Sequence, residues 1–249
     1  MTHPALEVRD IHRSFGALKV LDGIDLAIRP GERHAIIGPN GAGKSTFMNI
    51  LSGTLKPTGG TVHFSGEDVT GRSPAAIARR GIGRAFQIIN VFPALSVEEN
   101  VESAVACHQR VTWHIWRSLD RIESVRSRTR DILEMLKLWS RKDVPAGMLA
   151  YGEQRRLEIA LCLGISPSLL LLDEPCAGLN AEDSSAATEL LRSVSENKTL
   201  IMVEHDMDVV FNLADRVTVL HQGKVLITGT PEEVRSSAAV QAAYLGGHE

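Results

Sequence analysis

No apolar run in these 249 residues approaches the roughly 18 needed to cross a bilayer. The opening stretch, MTHPALEVRDIHRSF, lacks the apolar core of a signal peptide, so none is expected. Cysteine is scarce: Cys107, Cys162 and Cys176 lie far apart with no C-x-x-C spacing. That argues against a disulfide framework or a zinc site and fits a reducing cytosol. There is no excess of positive charge, since 27 Lys and Arg stand against 30 Asp and Glu for a formal net charge of −3. Broad nucleic-acid binding therefore has no support. Internal repeats and low-complexity tracts are also missing. What remains, 43% hydrophobic and 23% charged, is the composition of an ordinary globular protein with one large domain or two small ones.

The first 90 or so residues read mainly as strands and turns. LEVRDI alternates, GIDLAI follows, and RPGE is a turn before the apolar HAIIG. FMNILSG then reads as a helix with Phe47, Ile50 and Leu51 on one face and Gly53 at its end. From Ser96 the texture changes. Ser96 and Glu99 form a capping-box signature. The charged stretch RIESVRSRTRDILEMLKLW keeps Ile122, Val125, Ile132, Leu133 and Leu136 as its apolar positions. Residues 96–146 thus read as a helical insertion. Alternation of apolar strands with helices returns in SLLLLD, ATELLRSV and TLIMVEH, and RVTVLHQGKVLITG reads as a hairpin around Gln222-Gly223. Such alternation points to an α/β protein whose largely parallel sheet is covered on both faces.

The strongest chemical signal is GPNGAGKST, Gly38 to Thr46. It fits G-x-x-x-x-G-K-[ST] and lies where that pattern must, after an apolar strand and before a helix. Gly38, Gly41 and Gly43 let the backbone curl round phosphate oxygens with its N–H groups inward, and Pro39, Asn40 and Ala42 complete the loop. Lys44 supplies a point charge to the β and γ phosphates. The Ser45 hydroxyl can ligate Mg²⁺, with Thr46 beside it. This is a nucleoside-triphosphate site.

Three further stretches join it. LLLLDEP ends an apolar strand in two carboxylates, and ligands of parallel sheets sit at the carboxyl ends of strands. Asp173 is expected to hold Mg²⁺, and Glu174 to orient or deprotonate the attacking water. His205 ends another apolar strand, in IMVEHD. It suits a structural loop residue, or a contact to the γ-phosphate or water if its strand lies beside the P-loop strand. Gln87, in GRAFQ, is either an exposed polar residue or an amide that touches metal and water.

The stretch LAYGEQRRLEIALCLG has a helical stripe of Leu157, Ala160, Leu161 and Gly164 at i, i+3, i+4 and i+7. Gly152 is expected just before that helix, at an end that favours anions.

Taken together, these stretches resemble the ATPase subunit of an ATP-binding cassette (ABC) transporter. GPNGAGKST resembles the Walker A motif, RAFQ the Q-loop, LAYGEQRR the signature, LLLLDEP Walker B, AGLN the D-loop and VEHD the H-loop. The resemblance implies a single ABC ATPase domain over 1–249. Residues 1–95 and 147–230 would form a P-loop α/β core with a mostly parallel sheet and an antiparallel β subdomain at the N-terminal side. Residues 96–146 would be the inserted helical subdomain and 231–249 a short helical tail. It implies ATP and Mg²⁺ as cofactors, with Ser45, Gln87 and Asp173 on the metal and Glu174, His205 and Gln87 in catalysis. It makes Phe15 the aromatic that stacks on adenine, where the sequence alone also allows a core Phe after an edge strand. It implies a head-to-tail pair, with ATP held between one P-loop and the other chain's signature, here Ala150, Tyr151, Gly152 and Glu153.

The departures narrow the family. Ala150 replaces the usual serine and removes a hydroxyl, a hydrogen bond to a charged group worth roughly 1.5–3 kcal/mol where present. Glu153 would repel a phosphate if aimed at it, so its carboxylate is expected to point away. Asn180 stands where aspartate is commoner. LAYGEQRRLEIA, EPCAGLN, EHDMDVV and GTPEEVRSSAAVQAAYLG are similar to the ATPase subunits of high-affinity branched-chain amino acid importers. Related systems carry urea or short amides, or export lipopolysaccharide. A non-hydrolysing partner subunit would suit Ala150 but not the presence of Lys44, Asp173, Glu174 and His205.

The resemblance implies a second ATPase subunit, identical or different, membrane permeases, and indirectly a periplasmic solute-binding protein, with no nucleic acid. The chain would sit peripherally on the cytoplasmic face of the inner membrane. A permease is expected to dock on the helical insertion and the loop from Gln87 to Ser96. Trp113 and Trp116 suit either that contact or the insertion's own small core.

Overall fold

The computed structural model describes residues 3–85, 91–109 and 119–245. Gln87, Trp113 and Trp116 lie outside the described residues. In chain order the elements begin with β1 (Leu6–Phe15), β2 (Leu18–Ile28), β3 (Arg33–Ile37), α1 (Lys44–Leu51), β4 (Gly59–Phe64), β5 (Glu67–Asp68), α2 (Pro74–Ala78) and β6 (Ile82–Ala85). They continue with α3 (Val97–His108), α4 (Leu119–Met135), α5 (Tyr151–Gly164), β7 (Leu169–Asp173), α6 (Ala181–Val194), β8 (Thr199–Val203), α7 (Met207–Leu213), β9 (Arg216–His221), β10 (Lys224–Gly229), α8 (Pro231–Ser236) and α9 (Ala238–Leu245). Short 3-10 turns occupy Trp139–Arg141 and Ala146–Met148. The chain divides into two compact units, Met1–Ile77 with Leu169–Glu249, and Ala78–Ser168.

The first unit holds two sheets. One is antiparallel in the order β2-β1-β4-β5. Its alternation is visible in β2, where Ile24, Leu26 and Ile28 are buried and Asp25 and Ala27 exposed. In β1 the buried positions step from Val8 to Ile11, an odd interval. Asp10 sits between them at φ 48, and the register shifts there against both neighbours, so a bulge resets the facing.

The second sheet runs β10-β9-β3-β8-β7. β3 pairs in parallel with β8 and β9, β7 pairs in parallel with β8, and β10 joins β9 as an antiparallel edge around Gln222-Gly223. β7 and β8 are buried at every position, which is why LLLLD and TLIMV are continuous rather than alternating. Phe47, Met48 and Leu51 of α1 are fully buried. Each contributes roughly 1.5–3 kcal/mol by leaving water, and together they fix the helix that begins at Lys44.

The second unit is helical, with α3, α4 and α5 packed on one another and α5 also on β6. Ser96 caps α3 by accepting the Glu99 N–H at 3.1 Å, and Glu99 accepts the Ser96 N–H at 2.7 Å, as the sequence predicts. Two expectations are corrected here. Ile122 is 48% exposed rather than buried with Val125, Ile132, Leu133 and Leu136. The second half of α5 buries more than one stripe: Leu157, Ile159, Ala160, Cys162, Leu163 and Gly164 are all buried, while Leu161 is only half-buried. A helix packed on several sides needs apolar residues nearly all round. Among the described residues no helix is long and apolar enough to cross a membrane.

Candidate functional site

The loop from Gly38 to Gly43 leaves the end of β3 and enters α1. Its shape demands glycine at two points. At Gly43, φ is +99 and a Cβ would lie 2.6 Å from Leu21 Cδ2 and 3.0 Å from the Val20 carbonyl oxygen. At Gly38, φ is +150 and a Cβ would strike the carbonyl oxygen of Leu220. Lys44 Nζ donates to the carbonyls of Gly38 at 2.7 Å and Pro39 at 3.0 Å, so the ammonium lies along the loop. Burial pulls the Lys44 pKa down, partly offset by the negative charges of Glu174 and Asp173. Asn40, Gly41 and Ser45 are exposed, while Ala42 is buried. A curled backbone, a converging ammonium and an exposed hydroxyl at a helix N-terminus fit a triphosphate. The hydroxyl of Ser45 and the carboxylate of Asp173 are hard oxygen donors of the kind Mg²⁺ takes.

Asp173 is the last residue of β7, buried and paired with Val203 of β8. Glu174 follows outside the strand at φ 50, a left-handed conformation that is costly for a side-chain-bearing residue. Its N–H donates to Val203 O at 2.9 Å, which holds it against β8. His205, two residues beyond the end of β8, has Nδ1 3.8 Å from Glu174 Oε1 and is exposed. β8 does lie beside β3, the condition on which a phosphate role for His205 rested.

Glu204, in sequence between the end of β8 and His205, is 1% exposed. It accepts the Cys176 N–H at 2.9 Å and the His205 N–H at 3.2 Å. Burial pushes its carboxyl above the ordinary range, against the pull of the Cys176 and His205 N–H groups, the charge of His205 and the Asp206 N–H. Burial, with the negative charges of Glu204 and Asp206, pushes the neighbouring Cys176 thiol up to about 12, which favours the protonated form.

Phe15 ends β1, which is interior to its sheet, and its ring is 47% exposed. It is therefore not a core Phe after an edge strand. The Arg13 guanidinium carbon lies 4.4 Å from the ring centroid, leaving a cationic platform at the surface of the first unit.

In the second unit, α5 starts at Tyr151, with Ala150 as its N-cap, so Gly152 lies within the first turn rather than before it. No side chain caps the helix from Ala150. Glu153 does so from inside: Oε2 accepts the Ala150 N–H at 3.0 Å, and Oε1 takes Arg141 Nε at 3.1 Å. Burial works against ionisation, but the Ala150 N–H and Arg141 hold its carboxyl below the usual range. The carboxylate is turned back on its own chain, as expected. The N–H groups of Tyr151 and Gly152, being first in the helix, have no i−4 carbonyl. Asn180 caps α6 by accepting the Asp183 N–H at 2.8 Å, a role open to asparagine and aspartate alike.

The first unit thus gathers Phe15, Gly38, Pro39, Asn40, Gly41, Ala42, Gly43, Lys44, Ser45, Thr46, Asp173, Glu174 and His205, while Ala150 to Glu153 belong to the second. Sequence reasoning missed several supports. The Gly223 N–H donates to Ala42 O at 3.3 Å and Gly223 O accepts the Asp22 N–H at 2.8 Å, so the β9–β10 turn braces the loop. Tyr244 of α9 takes a hydrogen bond from the Gly38 N–H. Asn100, fully buried, bonds the backbone of Phe92, Leu95 and Ser96 and holds that loop. A buried polar residue inside an apolar run, as at Glu204, was the one available signal.

A family model described as "ABC transporter" matches residues 21–177, and one described as "Branched-chain amino acid ATP-binding cassette transporter" matches 224–249. The high-affinity branched-chain amino acid transport ATP-binding protein BraF of Pseudomonas aeruginosa is 38% identical over 99% of this chain and 99% of its own length. The ADP conformation of MJ1267, an ATP-binding cassette of an ABC transporter, superposes with a TM-score of 0.85 at 31% identity, covering 98% of this chain and 100% of that one. A dimeric post-hydrolysis state of the ATP-binding cassette MJ0796, bound to ADP and Pi, matches with a TM-score of 0.76 at 27% identity over 91% of this chain and 98% of that one.

Proposed function

Because this chain belongs to the ABC transporter family of ATP-binding cassettes, and is an ATPase of that family, we propose that it powers import of branched-chain amino acids through a membrane permease. The observation that carries the catalytic reading is Glu174, held at φ 50 by Val203, with its carboxylate 3.8 Å from His205 in the unit that bears the P-loop. The solute is inferred from the family match of residues 224–249 and the likeness to BraF.

In this reading the N–H groups of the loop and the first turn of α1 hold the phosphates, and Lys44 moves its ammonium from the Gly38 and Pro39 carbonyls to the phosphate oxygens. Ser45 and Asp173, with Gln87, would hold Mg²⁺, which neutralises developing phosphate charge when bound. Glu174 orients the water and accepts its proton, while His205 donates to the γ-phosphate. Phe15 stacks on adenine.

The helix end at Ala150, Tyr151, Gly152 and Glu153 would serve the nucleotide of a second cassette, identical or different. The dimeric form of MJ0796 supports such pairing. The permease would dock on the second unit, where Phe92 is 59%, Leu95 37% and Met148 75% exposed, and where the Ala146 and Gly147 N–H groups bond the Leu95 and Pro93 carbonyls. That complex would hold the chain peripherally on the cytoplasmic face of the membrane, fed from outside by a periplasmic binding protein.

Deleting the gene should abolish high-affinity uptake of labelled leucine, isoleucine and valine. The wild-type gene should restore it and a Glu174→Gln gene should not. Unchanged uptake in the deletion strain would overturn the solute assignment.

A further inference from the structure

β8 is buried throughout, Thr199 to Val203, and the next residue is a carboxylate as buried as the strand itself. Burying a carboxylate is costly, and a well-packed apolar residue is often tolerated as well or better at such places. Here both oxygens take backbone N–H groups, and the Asp206 N–H is a further donor to the same carboxylate. Oε1 takes the N–H of Cys176, two residues after Glu174, and Oε2 takes the N–H of His205. The Glu174 N–H is bonded to Val203, the residue before Glu204. Residues 174 and 176 therefore hang from 203 and 204, and the planar carboxylate fixes how the two loops lie against each other.

We propose that Glu204 is a positioning residue for ATP hydrolysis: its carboxylate brackets the segment after Glu174 to the loop that carries His205, and so sets the separation of those two groups. The physical reason is the sensitivity of proton transfer and water placement to displacements of about 1 Å. Glu204 is buried and acts through the N–H groups of Cys176, His205 and Asp206. The inference rests on the roles given to Glu174 and His205 above.

The test uses the full chain in its complex with the permease, with Glu204→Gln, Glu204→Asp and the control Glu174→Gln. Glu204→Gln keeps one acceptor but turns an amide N–H₂ toward a backbone N–H. It should lower kcat roughly 10- to 100-fold while the KM for ATP stays within about twofold. ATP binding by the unreactive complex and the thermal midpoint should stay near wild type. Glu204→Asp keeps the charge but is one methylene short of bracketing both loops, and should lower kcat by a similar factor. In a His205→Ala background, Glu204→Gln should change kcat by less than about threefold, since the group it positions is gone.

Wild-type kcat for Glu204→Gln overturns the proposal. So does a loss of kcat in step with ATP affinity or thermal midpoint, which marks a merely structural staple, and so does full additivity with His205→Ala. If Glu204→Gln fails to fold, Glu204→Asp is judged by the same readouts. Hydrolysis at the wild-type rate by Glu174→Gln would instead overturn the active-site reading and take this inference with it. An inactive Glu174→Gln beside a fully active Glu204→Gln would remove this inference alone.

Discussion

The carboxylate of Glu153 accepts the N–H of Ala150 at 3.0 Å, so the acid in the signature stretch caps its own helix instead of facing outward. Half of a capping box is present: the glutamate reaches back, but Ala150 has no hydroxyl to answer it. Two substitutions separate the consequences.

Ala150→Ser completes the box. It should stabilise α5 by roughly 1 kcal/mol, which raises the thermal midpoint by about 2–4 °C in a chain of this size. If the new hydroxyl also meets a partner's phosphate, ATP-dependent pairing should strengthen roughly tenfold or more. Differential scanning calorimetry reads the first effect, and sedimentation with ATP and a hydrolysis-blocked chain reads the second. A midpoint that does not move would mean that the helix start is already satisfied without the cap.

Glu153→Gln should leave ATP-dependent pairing within about twofold of wild type, because the carboxylate is engaged with Ala150 and Arg141. A gain of tenfold or more would show that the charge does repel the nucleotide.

Glu174→Gln should leave ATP binding intact and slow hydrolysis by roughly 10²–10⁴-fold, the range for a lost general base. Phosphate release and equilibrium ATP binding, measured side by side, decide the point. Equal turnover would remove Glu174 from the role.

Phe15→Ala should weaken ATP binding roughly tenfold, within the 1–3 kcal/mol measured for base–aromatic stacking, and Phe15→Trp should recover it. Fluorescent-nucleotide titration is sufficient. Unchanged affinity in Phe15→Ala would mean that the exposed ring serves another surface.

Gly43→Ala forces a side chain into φ +99 against Leu21 and the Val20 carbonyl. Strain of roughly 1–3 kcal/mol should appear as a lower thermal midpoint, with loss of ATP affinity because the turn into α1 must shift. A normal midpoint and normal binding would contradict the close packing described.

The chemistry was legible where it is contiguous. The Gly38–Thr46 run follows β3, Asp173 ends β7 with Glu174 next, and His205 follows β8, so the candidate site sits at the strand ends that the apolar runs predict. The sheets were legible as alternation in LEVRDI of β1, up to its bulge, and as unbroken apolar runs in β7 and β8. What escaped is what arises between distant segments. Glu204 finds Cys176 across 28 positions, Gly223 finds Ala42, and Asn100 folds a loop back over itself. Periodicity also misread α5, because a helix enclosed by α3, α4 and β6 has no single buried face. The bulge at Asp10 is similarly silent, since only pairing partners on both sides reveal the extra residue.

β3, which delivers the phosphate loop, has only β8 and β9 as sheet neighbours, and the loop's outer brace is Gly223. During synthesis, residues 33–46 therefore leave the ribosome long before anything that can hold them. A chain made N-terminus first at about 5–20 residues per second cannot brace this loop until Gly223 has emerged. Truncations short of the β9–β10 turn should therefore leave nascent chains dependent on chaperones rather than on nucleotide.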